Sequence, residues 1–152
     1  MRVVLQRCLE GQVSVSGNVV GKINNGLVLL VGFTEGDSSS IIDYMIDKII
    51  NLRIFDDENG VMNKSLLDVG GSILSVSQFT LYADTRKGRR PSYVKALNGD
   101  KASLLYDEFN NKIKNNNIKI EKGIFGADMQ VSLINDGPVT IILEREDNDE
   151  KR

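Results

Sequence analysis

Hydrophobic and polar residues alternate over residues 1–8 (Met-Arg-Val-Val-Leu-Gln-Arg-Cys), which predicts a first strand. Residues 12–23 alternate again. Val13 and Val15 precede Ser16-Gly17-Asn18, and Val19-Val20 return, so a hairpin is predicted. Residues 26–33 are a continuous apolar run of strand length between glycines, expected to be a central strand buried on both faces. The period then changes. Ser38-Ser39-Ser40 offer N-caps, and Ile42, Met45, Ile46 and Ile49 follow with helical spacing, predicting a helix that ends near Leu52. Arg53-Ile54-Phe55 predict a short strand, and residues 56–60 a turn. Residues 72–81 predict one long strand of high β propensity. A second helix is expected after Asn98 or Asp100, with Ala102, Leu105, Tyr106, Phe109 and Ile113 as its apolar stripe and Asn115-Asn116-Asn117 at its end. Residues 118–125, 129–134 and 139–143 predict three further strands, the last two separated by a Gly137-Pro138 turn. No internal repeat or domain boundary interrupts this order. The expectation is a single domain over 1–145 and a charged, disordered tail over 146–152.

Composition narrows the chemistry. At 152 residues the chain can bury a core without staples, and 41% hydrophobic with 26% charged residues is an ordinary globular balance. No apolar stretch approaches bilayer-spanning length and the start does not resemble a signal peptide, so the protein is expected to be cytoplasmic, with no membrane partner. One cysteine, Cys8, excludes an internal disulfide and multi-cysteine zinc sites, and is expected to be a small buried hydrophobe. There is no histidine. That removes the Ser-His-Asp and Cys-His arrangements, the usual proton shuttle near neutral pH, and the usual nitrogen ligand for metals. The acidic cluster at 56–58 does not have the spacing of an EF-hand loop and is expected to be a solvated turn. The net charge of −2 lies in the tail: without residues 144–152 the body holds 16 acids and 16 bases.

Three stretches carry candidate chemistry. The 72–81 strand turns from apolar to partly polar at 77–80 on both faces, so it either opens into a pocket or runs out into solvent. The segment 84–93 (Asp-Thr-Arg-Lys-Gly-Arg-Arg-Pro-Ser-Tyr) packs four bases into five residues. Such a run is a solvated face or a surface for phosphate, and Tyr93 is a ring that could stack on a base. Asn135-Asp136-Gly137-Pro138-Val139-Thr140 holds one of the chain's two prolines. By itself it is a hairpin corner. It is also a place where an X-Pro bond can be cis, and where bare main-chain carbonyls face out because Gly137 has no side chain.

Taken together, Ser77-Gln78-Phe79-Thr80 and Asn135-Asp136-Gly137-Pro138-Val139-Thr140 resemble the two motifs of the D-aminoacyl-tRNA deacylase family. The resemblance extends over nearly the whole chain, including Met1 to Arg7, Asn51 to Phe55, Leu67 to Gly71, Ala83 to Ser92 and Phe125 to Met129. It departs at Tyr93 to Lys101 and in the acidic tail. The resemblance implies an α/β (α+β) single domain: a barrel-like fold of mixed and antiparallel strands with two main helices, forming a homodimer with an active site at each subunit interface. It implies hydrolysis of D-aminoacyl-tRNA, and of glycyl-tRNA, without a cofactor or metal. Ser77, Gln78 and Phe79 would bind the 3′-terminal adenosine and the aminoacyl ester, and Thr80 would line the same pocket. A cis Gly137-Pro138 bond would project into the partner's pocket as a chiral filter, flanked by the motif residues Asn135, Val139 and Thr140. Arg7 and Met129 would support the pocket wall. By its charge alone, the basic run Arg86, Lys87, Arg89 and Arg90 is a candidate contact for tRNA phosphate.

With no histidine, the attractive proton carrier is the substrate's ribose 2′-hydroxyl or a water it orients; the rival is a Thr80 or Ser77 nucleophile. A different class of reading is a non-enzymatic RNA-binding module built on residues 86–90. It would keep its whole activity after Gln78→Ala or Pro138→Ala, where an enzyme would lose turnover.

Overall fold

A computed structural model of the protein describes residues 1–147. Strands β1 (Arg2–Val15), β2 (Asn18–Ile23) and β3 (Gly26–Gly32) come first, then α1 (Ser39–Asn51), β4 (Phe55–Asp56), β5 (Met62–Lys64) and α2 (Leu66–Val69). They are followed by β6 (Ser72–Ser77), a 3-10 turn over Phe79–Tyr82, α3 (Gly99–Asn115), β7 (Ile120–Lys122) and β8 (Gln130–Glu144). The main sheet runs β2-β1-β3-β6-β7, with β8 paired to β1; β4 and β5 form a separate small ladder. The β3–β6 and β6–β7 pairs are parallel and the others antiparallel. The sheet curls until its ends approach. A Cβ on Gly21 of β2 would sit 3.0 Å from the Lys122 carbonyl oxygen of β7, so the near-closure into a barrel depends on a glycine there.

Two apolar layers explain the patterning. Val3, Leu5, Leu27, Leu29, Val31 and Ile73 face α1 and α3, which return Ile42, Met45, Ile49, Tyr106, Phe109 and Ile113. Cys8, Val13, Ile23, Val28, Leu74 and Val76 pack together on the other side. The middle strand β3 contributes to both layers, which is why its sequence is apolar without alternation. Ser75 is a fully buried exception on β6. Its hydroxyl donates to the Tyr106 oxygen at 3.2 Å, and the Tyr106 hydroxyl donates in turn to the Ser75 carbonyl at 2.9 Å.

Both long helices stand where periodicity puts them, α1 capped by Ser38 and α3 by Asn98. The short α2 was not anticipated. Its capping box joins Ser65 to Asp68, the Ser-x-x-Asp spacing that starts a helix. Asp57 shows why the acidic turn is self-contained. Its carboxylate accepts from the Asn59 and Val61 N–H groups and the Asn63 amide, which hold its pKa below the ordinary range.

Four strand expectations are corrected. Residues 1–8 and the first arm of the hairpin form one strand, β1, with Ser16 and Gly17 at positive φ making the turn. The 72–81 strand stops at Ser77. Gln78 still donates its N–H to the Val31 carbonyl, but its φ/ψ of −147°/83° then turns the chain, and Leu81 N–H bonds back to the Gln78 carbonyl. The two strands placed on either side of Gly137-Pro138 are a single strand, because both halves pair with β1: Ile134 lies opposite Glu10, and Thr140 opposite Gln6. The Gly-Pro segment is thus a bulge in a long ladder and not a hairpin corner. The strand expected over 118–125 contracts to Ile120–Lys122.

At the chain's end, Arg145 N–H donates to the Met1 carbonyl at 3.0 Å. Asp147 lies against Gly36, within 3.3 Å of where a Cβ would stand. The rest of the expected tail, 148–152, lies outside the described residues.

Cys8 is 2% exposed, and burial pushes its thiol pKa up to about 11. At pH 8 the native protein is expected to resist a disulfide reagent, releasing one thiol equivalent only as guanidinium unfolds it. Prompt reaction of the native protein would contradict this packing.

Candidate active site

The C-terminal ends of β3 and β6 meet the first turn of α3 and the 125–129 loop around a cleft of about 510 Å³. Ser77, Gln78, Phe79 and Met129 all line it, with Phe125 and Ala102 among their neighbours. Parallel pairing sets Val31 beside Ser77, and the turn after Gln78 then throws Phe79 outward, 58% exposed. There the Phe79 ring meets Tyr93 edge-on at 5.1 Å. The Gln78 side-chain amide donates to the Thr80 hydroxyl, tying the turn across two residues. The Gln78 main-chain N–H is already committed to Val31, at 2.8 Å. The N–H groups of Phe79 and Thr80 open the 3-10 turn, where helical donors have no partner within the turn itself.

Two further residues shape the turn. Arg2 Nη1 donates to the Leu81 carbonyl at 2.9 Å, its guanidinium lies 4.4 Å over the Tyr82 ring, and its Nε meets Glu144 at 3.2 Å. Gly32 lies directly beneath, since a Cβ there would be 2.9 Å from the Gln78 carbonyl oxygen. Sequence reading missed both roles. Arg2 is simply a polar position in an alternating strand, and Gly32 marked only the edge of an apolar run.

Among the described residues, none that lines the cleft is titratable. It offers hydroxyl, amide and main-chain groups within apolar walls. Such a site can orient and polarise a neutral ester or amide, but supplies no side chain to move a proton.

The Asn135–Thr140 motif is built around Arg7, a 7%-exposed arginine. Arg7 Nε donates to the Asp136 carbonyl at 2.9 Å, and Nη1 donates to the Ile54 carbonyl at 2.8 Å; the Asp56 and Asp136 carboxylates lie 3.5 Å away. Asn135 fastens the other side. Its Oδ1 accepts the Val139 N–H at 2.8 Å and its Nδ2 donates to the Thr140 hydroxyl at 3.0 Å. Gly137 has φ 133°, and a Cβ there would stand 2.9 Å from Val139 and 3.2 Å from Arg7, so a glycine is required. The Gly137-Pro138 peptide is cis, and both residues are exposed.

The structure therefore sorts the expected site into two groups. Met129 lies in the cleft wall with Ser77, Gln78 and Phe79. Thr80, Arg7, Asn135, Gly137, Pro138, Val139 and Thr140 do not line that cleft; the Thr80 hydroxyl accepts from the Gln78 amide, and Arg7 supports the Gly-Pro corner. The basic stretch forms a third feature. Arg86 grips the Asp84 carboxylate through two nitrogens, at 2.9 and 2.7 Å, and holds that carboxyl well below its usual pKa. Lys87, Arg89 and Arg90 are exposed.

The family model described as D-Tyr-tRNA(Tyr) deacylase matches residues 4–144. A D-aminoacyl-tRNA deacylase of Thermosipho africanus is 59% identical over 144 residues, covering 95% of this chain and 97% of that protein. One of Listeria monocytogenes serotype 4a is 56% identical over 152 residues, covering 100% and 99%. Among solved structures, the "c-Myc DNA Unwinding Element Binding Protein" superposes with a TM-score of 0.90 at 38% identity, covering 95% of this chain and 99% of that one. A structure described as a "probable eukaryotic D-amino acid tRNA deacylase" gives 0.80 at 20% identity, over 93% and 97%, a likeness of fold.

Arg7→Met keeps the aliphatic stem but leaves the Asp136 and Ile54 carbonyls without donors. It is expected to cost about 2–4 kcal/mol in a denaturant titration. A loss below about 0.5 kcal/mol would show that the corner does not depend on this guanidinium.

Proposed function

The chain belongs to the D-Tyr-tRNA(Tyr) deacylase family, and from that membership we infer that it hydrolyses the ester of D-aminoacyl-tRNA to free D-amino acid and tRNA. The observation that carries the mechanism is the cleft without a titratable side chain. An aminoacyl ester is labile enough for positioning and a few fixed donors to suffice. In this reading Ser77, Gln78 and Phe79 hold the terminal adenosine and the ester. The N–H groups of Phe79 and Thr80 point at the oxygen that becomes negative when water adds to the carbonyl. The ester C–O bond then breaks, and the departing ribose 3′-oxygen takes up a proton. With no protein group lining the cleft to shuttle it, that proton travels through the neighbouring 2′-hydroxyl or a water it orients. The Thr80 hydroxyl is engaged by the Gln78 amide, not by a base, which argues against a Thr80 nucleophile.

Selectivity is assigned to Gly137 and Pro138. The corner is exposed, held by Arg7 and Asn135, and stands apart from its own chain's cleft, which fits service to a second copy. Nearby β8 also exposes Ile134 and Ile142, at 49% and 71%, as a homodimer contact would require. In the assembled site the corner's carbonyls hold the substrate's α-amino group and fill the space an L side chain would need. The filter works by exclusion, so it is indifferent to the identity of the D side chain and admits glycine.

D-Tyr-tRNA, D-Asp-tRNA and Gly-tRNA are expected to be deacylated and L-Tyr-tRNA spared, read by release of labelled amino acid; comparable rates on D- and L-Tyr-tRNA would refute the filter. A D-Tyr-tRNA ending in 2′-deoxyadenosine is expected to be stable to the enzyme, and undiminished turnover would eliminate the substrate-assisted route.

A further inference from the structure

The segment between the 3-10 turn and α3 is a pinned loop. Asp84 N–H donates to the Ser92 carbonyl at 2.8 Å, and Ser92 N–H donates to the Asp84 carbonyl at 2.9 Å. This closes the base and leaves residues 85–91 as the tip. The Asp84 carboxylate then consumes Arg86, both through its guanidinium and through its main-chain N–H at 3.1 Å. Lys87, Arg89 and Arg90 are left exposed, and among the described residues they have no hydrogen bond or ion pair. Three unpaired cations within four residues repel one another, an arrangement that an approaching polyanion relieves.

The loop's position says which polyanion. Its first strand leaves the turn that holds Phe79, and its return delivers Tyr93 against the Phe79 ring at 5.1 Å. Phe79 lines the cleft, so the base of the loop stands at the cleft's rim and the tip projects from there. A substrate whose ester end enters that cleft carries its sugar-phosphate chain out past the same rim. The tip itself has no apolar side chain beyond Pro91 to enter a lipid surface. The body of the protein is balanced in charge with these cations included, so they make a local field and are not part of a generally basic surface.

We propose that Lys87, Arg89 and Arg90 form a phosphate-gripping tip that holds the RNA backbone behind the ester, and that Arg86, consumed by Asp84, is part of the loop's frame. The proposal deepens the deacylase reading and rests on it for the identity of the RNA. It is tested with Arg89→Ala/Arg90→Ala against Lys114→Ala/Lys119→Ala, which removes equal charge from the last turn of α3 and the residue before β7. Each is assayed on D-Tyr-tRNA and on D-tyrosyl-adenosine, which has no phosphate chain. Uncharged tRNA binding is followed by anisotropy over 50–200 mM KCl.

Phosphate contacts contribute about 0.7–0.9 each to the slope of log affinity against log salt. Losing two should flatten it by about 1.4–1.8, so the wild type loses roughly 10-fold more affinity than the double variant across that range. Saturating turnover and D-tyrosyl-adenosine hydrolysis should be unchanged, and the control should keep the wild-type slope. Equal slopes in variant and control, or an equal loss on D-tyrosyl-adenosine, would overturn the proposal. Wild-type protein that binds tRNA but cleaves neither ester would sink the deacylase reading alone, since anisotropy still judges the loop.

Discussion

The architecture turns on Arg7, a charged side chain placed where charge is costly. Its guanidinium is tolerated because two main-chain carbonyls accept from it at 2.9 and 2.8 Å and two carboxylates lie 3.5 Å off. Those partners come from the chain just after α1 and from the Asn135–Thr140 bulge, while Arg7 itself sits midway along β1. At that level the β1–β8 pair changes layers. Val3 and Leu5 on β1, with Val139, Ile141 and Leu143 on β8, pack toward the helices. Cys8 and Val13, with Leu133, pack on the other side. A ladder that changes layers must break register, and it does so around Cys8. The Gly-Pro corner is the visible product of that break, and the arginine is its keystone.

The cleft follows the opposite principle. The corner is organised by one buried charge, whereas the cleft wall holds none, and its polar groups are main-chain donors, one hydroxyl and one amide. The elements that shape it are borrowed from the scaffold: the parallel β3–β6 pair places Ser77 and Gln78, Arg2 anchors the far side of the 3-10 turn, and Gly32 gives that turn room to lie down. The unpaired cations Lys87, Arg89 and Arg90 lie outside it, exposed on the pinned loop, where water and salt can screen them.

Much of this was legible in the residues themselves. Helical spacing located α1 and α3 because their apolar stripes are wide and their caps, Ser38 and Asn98, are good acceptors. The unbroken run at 26–33 announced a strand buried on both faces, and the two motifs named the family, the first of them placing Ser77, Gln78 and Phe79 along one cleft. Sequence also displayed the polar switch at 77–80, but not its cause. Propensity favours continuing that strand; the turn wins because the next carbonyl beyond Val31 on that side, Phe33, already accepts from the Leu97 N–H, and because Arg2 captures the Leu81 carbonyl from the other end of the sequence.

The sequence by itself therefore determined the two long helices, the central strand, the absence of histidine chemistry and the identity of the motifs, since each is written in local period or in residue type. Only the tertiary structure decided that Gly137-Pro138 is a bulge within one strand, that Arg7 serves the corner and not the cleft wall, and that Arg86 is taken by Asp84. The physical reason is the same in each case. Period and propensity report a residue's own neighbourhood along the chain, whereas a partner for a ladder, a buried guanidinium or a carboxylate is found across space, where sequence separation carries no weight.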